Sequence, residues 1–170
     1  MTAGLASAEE AKIPHTSYAR GLQNREMRFS MLQFQHRSVG VDDTFNTTMY
    51  DNLSLFCLMF INDDGHGEPG AFLMTDYKGH ETLYVWLKSI PGLAALIWMT
   101  DYDKAIRLAI RMFNPKATLV LCIWHILRAW SNNINKQQCA TREDREAWWA
   151  ILNTMVRLIS PLVVVDLWYW

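Results

Sequence analysis

The hydrophobic pattern of this chain changes period once, and that change limits the folds open to it. Between residues 38 and 75 the apolar residues fall in three short runs: a weakly alternating one at 38–45, a nearly continuous one at 53–61 and a third at 70–75. Runs of this length read as strands, and a run apolar at almost every position is expected where both sheet faces are covered. Asn62-Asp63-Asp64-Gly65-His66-Gly67, a cluster of turn formers, joins the last two as a hairpin. After residue 80 the spacing becomes helical. Leu83, Trp86, Leu87 and Ile90 share one face, and Pro91-Gly92 stops that helix. Ile106, Ala109, Ile110 and Phe113 form a second stripe with Lys104, Arg107 and Arg111 opposite, ended by Asn114-Pro115. Apolar segments at 93–99 and 117–122 read as strands between helices, and 126–134 as a third helix. The order β-β-β-α-β-α-β-α predicts an α/β fold: a three-strand meander, then alternating helices and strands in one mixed sheet.

The flanks differ from this centre. Residues 1–15 are small and polar, closed by Pro14, and read as a leader. Over 17–37, Arg20, Arg25, Arg28 and Arg37 are interleaved with Leu22, Met27, Met31 and Leu32, a spacing that predicts one helix with a cationic face. The plainer reading of that face, a solvated surface, is preferred to a DNA-contacting arm. Residues 1–35 are therefore taken as leader and basic helix, 36–135 as the core and 136–170 as a separate segment. In that segment Thr141-Arg142-Glu143-Asp144 resembles a capping box with aspartate in the glutamate position. Trp148, Leu152, Met155 and Ile159 continue as an apolar stripe that needs a partner surface, and the aromatic end Trp168-Tyr169-Trp170 reads as a truncation.

Composition excludes several classes. A chain 51% hydrophobic and 19% charged is globular rather than disordered, and its eight tryptophans read as core and interface packing. The net charge of −1 supplies no global attraction to nucleic acid, so any such contact must come from a local basic patch. Three cysteines, an N-terminus without an apolar leader and no apolar run of about 20 residues point to a reduced, intracellular protein without a membrane span.

Two acidic groups stand where apolar strands run out: Asp42 in the first run, and Asp101 after Trp98-Met99-Thr100. A carboxylate at a strand end lies at the rim of the sheet. If the two strands are neighbours the carboxylates meet, and such a pair repels itself unless a cation lies between. Each has a plainer reading: Asp42 as a local cap of the turn after it, Asp101 as N-cap of the 102–113 helix. Asp43 should point to the opposite face and serve as a solvated neighbour.

With these features in view, the chain resembles the MULE transposase domain, the catalytic domain of Mutator-like transposons, over roughly residues 36–158. The resemblance is carried by Asp42-Asp43-Thr44-Phe45 with Asn46-Thr47-Thr48-Met49-Tyr50, by Met99-Thr100-Asp101, and by Leu121-Cys122-Ile123-Trp124-His125 with Arg128-Ala129-Trp130. It implies an RNase H-like fold with the first and fourth core strands side by side. It also implies catalytic, metal-binding roles for Asp42 and Asp101, magnesium or manganese as cofactor, DNA as partner, and nuclear localisation. The activity implied is DNA strand cleavage followed by strand transfer. The family's third acid is a glutamate beyond a helical insertion after the C-x-x-H block. Here the downstream glutamates are Glu143 and Glu146, both in the stretch resembling the insertion itself, so the third position is unassigned and the catalytic domain incomplete. Self-association or a missing C-terminal portion would complete it. The alternative is a domesticated or decayed transposase, a non-catalytic module for DNA or protein interaction and transcriptional regulation.

Cys122 and His125 form the C-x-x-H block. Zinc is disfavoured there: a structural site takes four ligands, and Cys139 is the sole nearby third candidate. A buried thiol beside a hydrogen-bonded imidazole is preferred.

Overall fold

The computed structural model describes residues 17–44, 52–137 and 141–159. Its strands are β1 Ala19–Leu22, β2 Val39–Thr44, β3 Ser54–Ile61, β4 Gly67–Thr75, β5 Ile97–Thr100 and β6 Thr118–Leu121. Its helices are α1 Arg25–Phe34, α2 His80–Ser89, α3 Lys104–Phe113, α4 Ile123–Gln137 and α5 Arg142–Ile159. The strands form one mixed sheet in the order β1-β4-β3-β2-β5-β6. This is the expected α/β architecture, RNase H-like in its strand order. The chain divides after Leu119 into two compact units.

In the first unit, β2, β3 and β4 make the antiparallel meander, and β5 then pairs parallel to β2. The hairpin turn is held by the Asn62 side chain, which accepts from the N–H groups of Asp64 and His66, and by Gly65 at φ 80°. β3 corrects one expectation. Rather than being covered on both faces, it alternates: Ser54, Phe56, Leu58 and Phe60 are buried while Leu55, Cys57, Met59 and Ile61 are half-buried. Phe56, Leu58 and Phe60 join one core cluster with Met31 and Phe34 of α1, Leu83, Trp86 and Leu87 of α2, and Ile106, Ala109 and Ile110 of α3. The half-buried face carries Cys57 and, across the ladder, Asp42.

A second correction concerns residues 17–37, which are not one helix. Ala19–Leu22 is an edge strand paired antiparallel with β4. Thr75 donates to the Tyr18 carbonyl at 2.8 Å, and Tyr18 N–H donates to Asp76 at 2.9 Å, fastening the start of that strand. The free edge of β4 offers ladder bonds that a short apolar-poor segment containing Gly21 would not recover as a helix. The helix starts only at Arg25, where the Asn24 side chain accepts from Met27 N–H at 2.8 Å. Its buried face is Met31 and Phe34, while Leu22 and Leu32 are exposed.

Smaller adjustments have local causes. β4 begins at Gly67 rather than residue 70; it admits Pro69 where the register with β3 shifts, since proline cannot donate to a regular ladder. β5 begins at Ile97 because the backbone of Ala94 and Ala95 is engaged by side chains. Gln35 accepts from Ala94 N–H at 2.7 Å, and Trp98 and Asn114 both donate to the Ala95 carbonyl. Gly92, at φ 84°, makes the reversal after α2; a Cβ there would come within 2.6 Å of Leu32.

The second unit holds α4 and α5, which pack on one another. α4 starts at Ile123, three residues earlier than expected. The capping pair expected for α5 is present: Asp144 N–H donates to Thr141 Oγ1 at 3.1 Å, and that hydroxyl donates to the Asp144 carboxylate at 2.8 Å. Trp148, Ile151 and Met155 are exposed on α5. No helix among the described residues is long and apolar enough to cross a membrane.

Candidate metal centre

The parallel pairing of β2 with β5 sets Val39 beside Trp98, Gly40 beside Met99 and Val41 beside Thr100. The next position on each strand is an aspartate. Both carboxylates therefore leave the sheet at the same rim, and carboxylate oxygens of Asp42 and Asp101 lie within 4.8 Å of one another. Val41 and Thr100 are buried, whereas Asp42 is exposed and Asp101 half-buried, as strand alternation at a rim requires.

The competing structural role of Asp101 is taken by another residue. Asp103, not Asp101, caps α3, accepting from Ile106 N–H at 2.8 Å. Asp101 accepts from Asp103 N–H at 2.9 Å, which orients the carboxylate without drawing it into the helix. Asp42 accepts from the N–H of Asp43 at 3.0 Å. Asp43 is the neighbour pointing away, but it is an ion-paired group rather than a solvated one: Lys78 Nζ approaches its carboxylate at 2.8 Å, and only 13% of its side chain is exposed.

Cys57 lies directly opposite Asp42 in the β2–β3 ladder. Burial, and secondarily the Asp42 carboxylate, push its thiol up to about 12 from an ordinary 9.0. The metal-free thiol is neutral at physiological pH. Asp42 and Asp101 form an oxygen donor pair that would hold a hard divalent cation such as magnesium or manganese.

The profile of the MULE transposase domain matches residues 38–129, more than half of the chain. The chain belongs to the MULE transposase domain family. No curated protein matches it. The matched span of the MULE domain includes Asp42, Asp101, Cys122 and His125 and stops before Glu143 and Glu146. Transposases of this kind act on DNA and use divalent metal, so the family membership and the carboxylate pair point the same way.

The other sequence candidates belong to the second unit. Cys122 precedes α4, and its carbonyl accepts from Ile126 N–H at 3.2 Å. His125 lies in the first turn, its ring edge-on to Trp124 at 4.8 Å, and Arg128 stacks over the same indole at 4.9 Å. Glu143 is exposed on α5, and Glu146 is paired with Arg142 at 2.8 Å. Cys139, the turn motif at 45–50 and the aromatic end lie outside the described residues.

Sequence reasoning passed over Cys57, Lys78 and Asp103. Asp103 was detectable, since it stands three residues before Ile106, the spacing of an N-cap side chain to the N3 N–H that donates to it. Cys57 and Lys78 carried no such signal, because only strand register and the turn after β4 bring them to the two aspartates.

Proposed function

We propose that this MULE domain is the catalytic core of a DNA transposase, nuclear in location, with Asp42 and Asp101 as joint ligands of Mg2+ or Mn2+. The observation that carries the reading is the approach of the two carboxylates just past the end of the β2–β5 ladder. A divalent cation bound there supplies Lewis acidity and nucleophile activation for phosphoryl transfer. The residues of the chain supply position. Strand register holds Asp42 and Asp101 together, and the Asp103 N–H fixes one oxygen of Asp101. Ion pairing of Asp43 to Lys78 keeps a third negative charge out of the site. The phosphodiester of a DNA strand would be cut by water, and the freed 3′ hydroxyl would attack a second phosphodiester in strand transfer.

A second reading, a non-catalytic descendant that binds DNA or protein, is favoured by one observation. Neither downstream glutamate stands in an acidic site of the second unit: Glu143 is exposed and Glu146 is engaged by Arg142.

Thermal melting under magnesium and manganese titration tests the metal site. At a free-ion concentration tenfold above Kd, linkage gives about 1.4 kcal/mol, or roughly 3–6 °C for a domain of this size. The shift should vanish in Asp101→Asn. Absence of a shift in the unmodified chain overturns the metal assignment. A shift without metal-dependent nicking of supercoiled DNA selects the non-catalytic reading.

A further inference from the structure

Away from the carboxylate pair, the first unit carries an open groove of about 500 Å³ where β1, α1 and the end of α2 adjoin. Gly21, Gln23, Arg25, Arg28, Trp86 and Ile90 are among the residues lining it. β1 and β2 are separated by β4 and β3, so the groove lies about three strand spacings, roughly 14 Å, from the strand that bears Asp42.

Three observations give the groove a chemistry. Arg25 and Arg28 stand one helical turn apart and both line it, and neither guanidinium forms an ion pair or hydrogen bond among the described residues. Glu26, the acid between them in sequence, is not part of the lining. Trp86 lines the groove too, and its indole N–H makes no hydrogen bond among the described residues. An acceptor entering the groove would give that donor a partner. Finally, Gly21 leaves the indole edge uncovered: a Cβ there would lie 3.2 Å from Trp86 Cδ1 and 3.6 Å from Nε1. Gln23 cannot fill the space, because its amide donates to the Gly70 carbonyl at 2.8 Å.

We infer that this groove binds a phosphodiester of a nucleic-acid backbone, with Arg25 and Arg28 as its cations and the Trp86 indole as a directional donor. Two guanidinium groups and one indole N–H are donors only, so they suit an anion that only accepts. The groove is open, which suits a segment of polymer, and Ile90 and Pro91 offer an apolar wall for sugar carbons. With a net charge of −1, the chain needs a local patch of this kind to hold DNA. The inference rests on the proposed function for its choice of nucleic acid, and makes the groove a second point of attachment that orients DNA relative to the carboxylates.

The test is fluorescence anisotropy of a labelled DNA duplex with the full chain in EDTA, over a salt series. Arg25→Ala/Arg28→Ala, at two exposed positions, should bind more weakly and flatten the slope of log K against log salt by about 1. Trp86→Phe, which keeps the bulk and removes the donor, should weaken binding by about three- to tenfold. Both variants should keep the magnesium-dependent melting shift, so failure here is separable from failure of the metal site. Unchanged affinity and slope in the double variant, or no DNA binding by the parent chain, overturns the inference. So does displacement of the duplex by inorganic phosphate at equal phosphate concentration, which would mark a pocket for the free anion.

Discussion

Trp98 and Trp148 are the same residue on two apolar stripes, with opposite fates. Trp98 on β5 is 0% exposed, edge-on to Phe113, with its N–H donated to Ala95. Trp148 on α5 is 52% exposed. The first unit encloses its stripes because a sheet and three helices supply facing surfaces. The second, as described, is two helices, and two helices cannot surround one another's apolar faces. A periodic stripe therefore announces a need for burial, and says nothing about whether the same chain meets it.

This contrast should appear first in stability. Trp98→Ala is expected to cost about 3–5 kcal/mol, against less than about 0.5 kcal/mol for Trp148→Ala, both read by urea denaturation. Equal costs would show that α5 is buried in solution and abolish the distinction.

A second contrast separates two aspartates that are neighbours in sequence. Asp103→Ala removes the α3 cap and should cost about 1 kcal/mol while preserving the melting shift with magnesium. Asp101→Asn should do the reverse. If either variant produced both effects, capping and ion binding would be one function rather than two.

The smallest effects concern the surroundings of the pair. Lys78→Ala should cost under about 1 kcal/mol, because the lysine of its ion pair with Asp43 is substantially exposed and the pair is partly screened. Cys57 should resist alkylation at pH 8, with only a modest gain in Asp42→Asn, since burial is the larger cause of its raised pKa. The sign for stability follows. Below about pH 9 the thiol is neutral whether folded or unfolded; between 9.0 and about 12 only the unfolded chain ionises it, so this contribution is lost as pH rises. Alkaline melting of Cys57→Ser should lack that component.

Most of the architecture was legible because hydrophobic period is a local property. The runs at 53–61 and 70–75, the stripes of α2 and α3, and the stops at Pro91-Gly92 and Asn114-Pro115 each sit where the structure has the matching element. The edge strand β1 was not legible. Its four residues have no alternation to display, and their conformation is decided by the unpaired edge of β4, far away in sequence. The arginines of α1 are exposed, as a solvated face requires, and nothing near them in the chain announces that Trp86 lines the same groove.

By itself, the order of residues determined most strands and helices, the stripes that would be buried and the two aspartates that follow apolar strand residues. Those follow from short-range sterics, capping and the alternation of side chains, which the chain carries wherever it goes. Tertiary structure alone decided that β2 and β5 lie parallel in register, that Asp103 takes the cap and leaves Asp101 at the rim, and that Cys57 faces Asp42. Pairing between segments some sixty residues apart depends on which surfaces the whole core leaves available, and no local pattern records that choice.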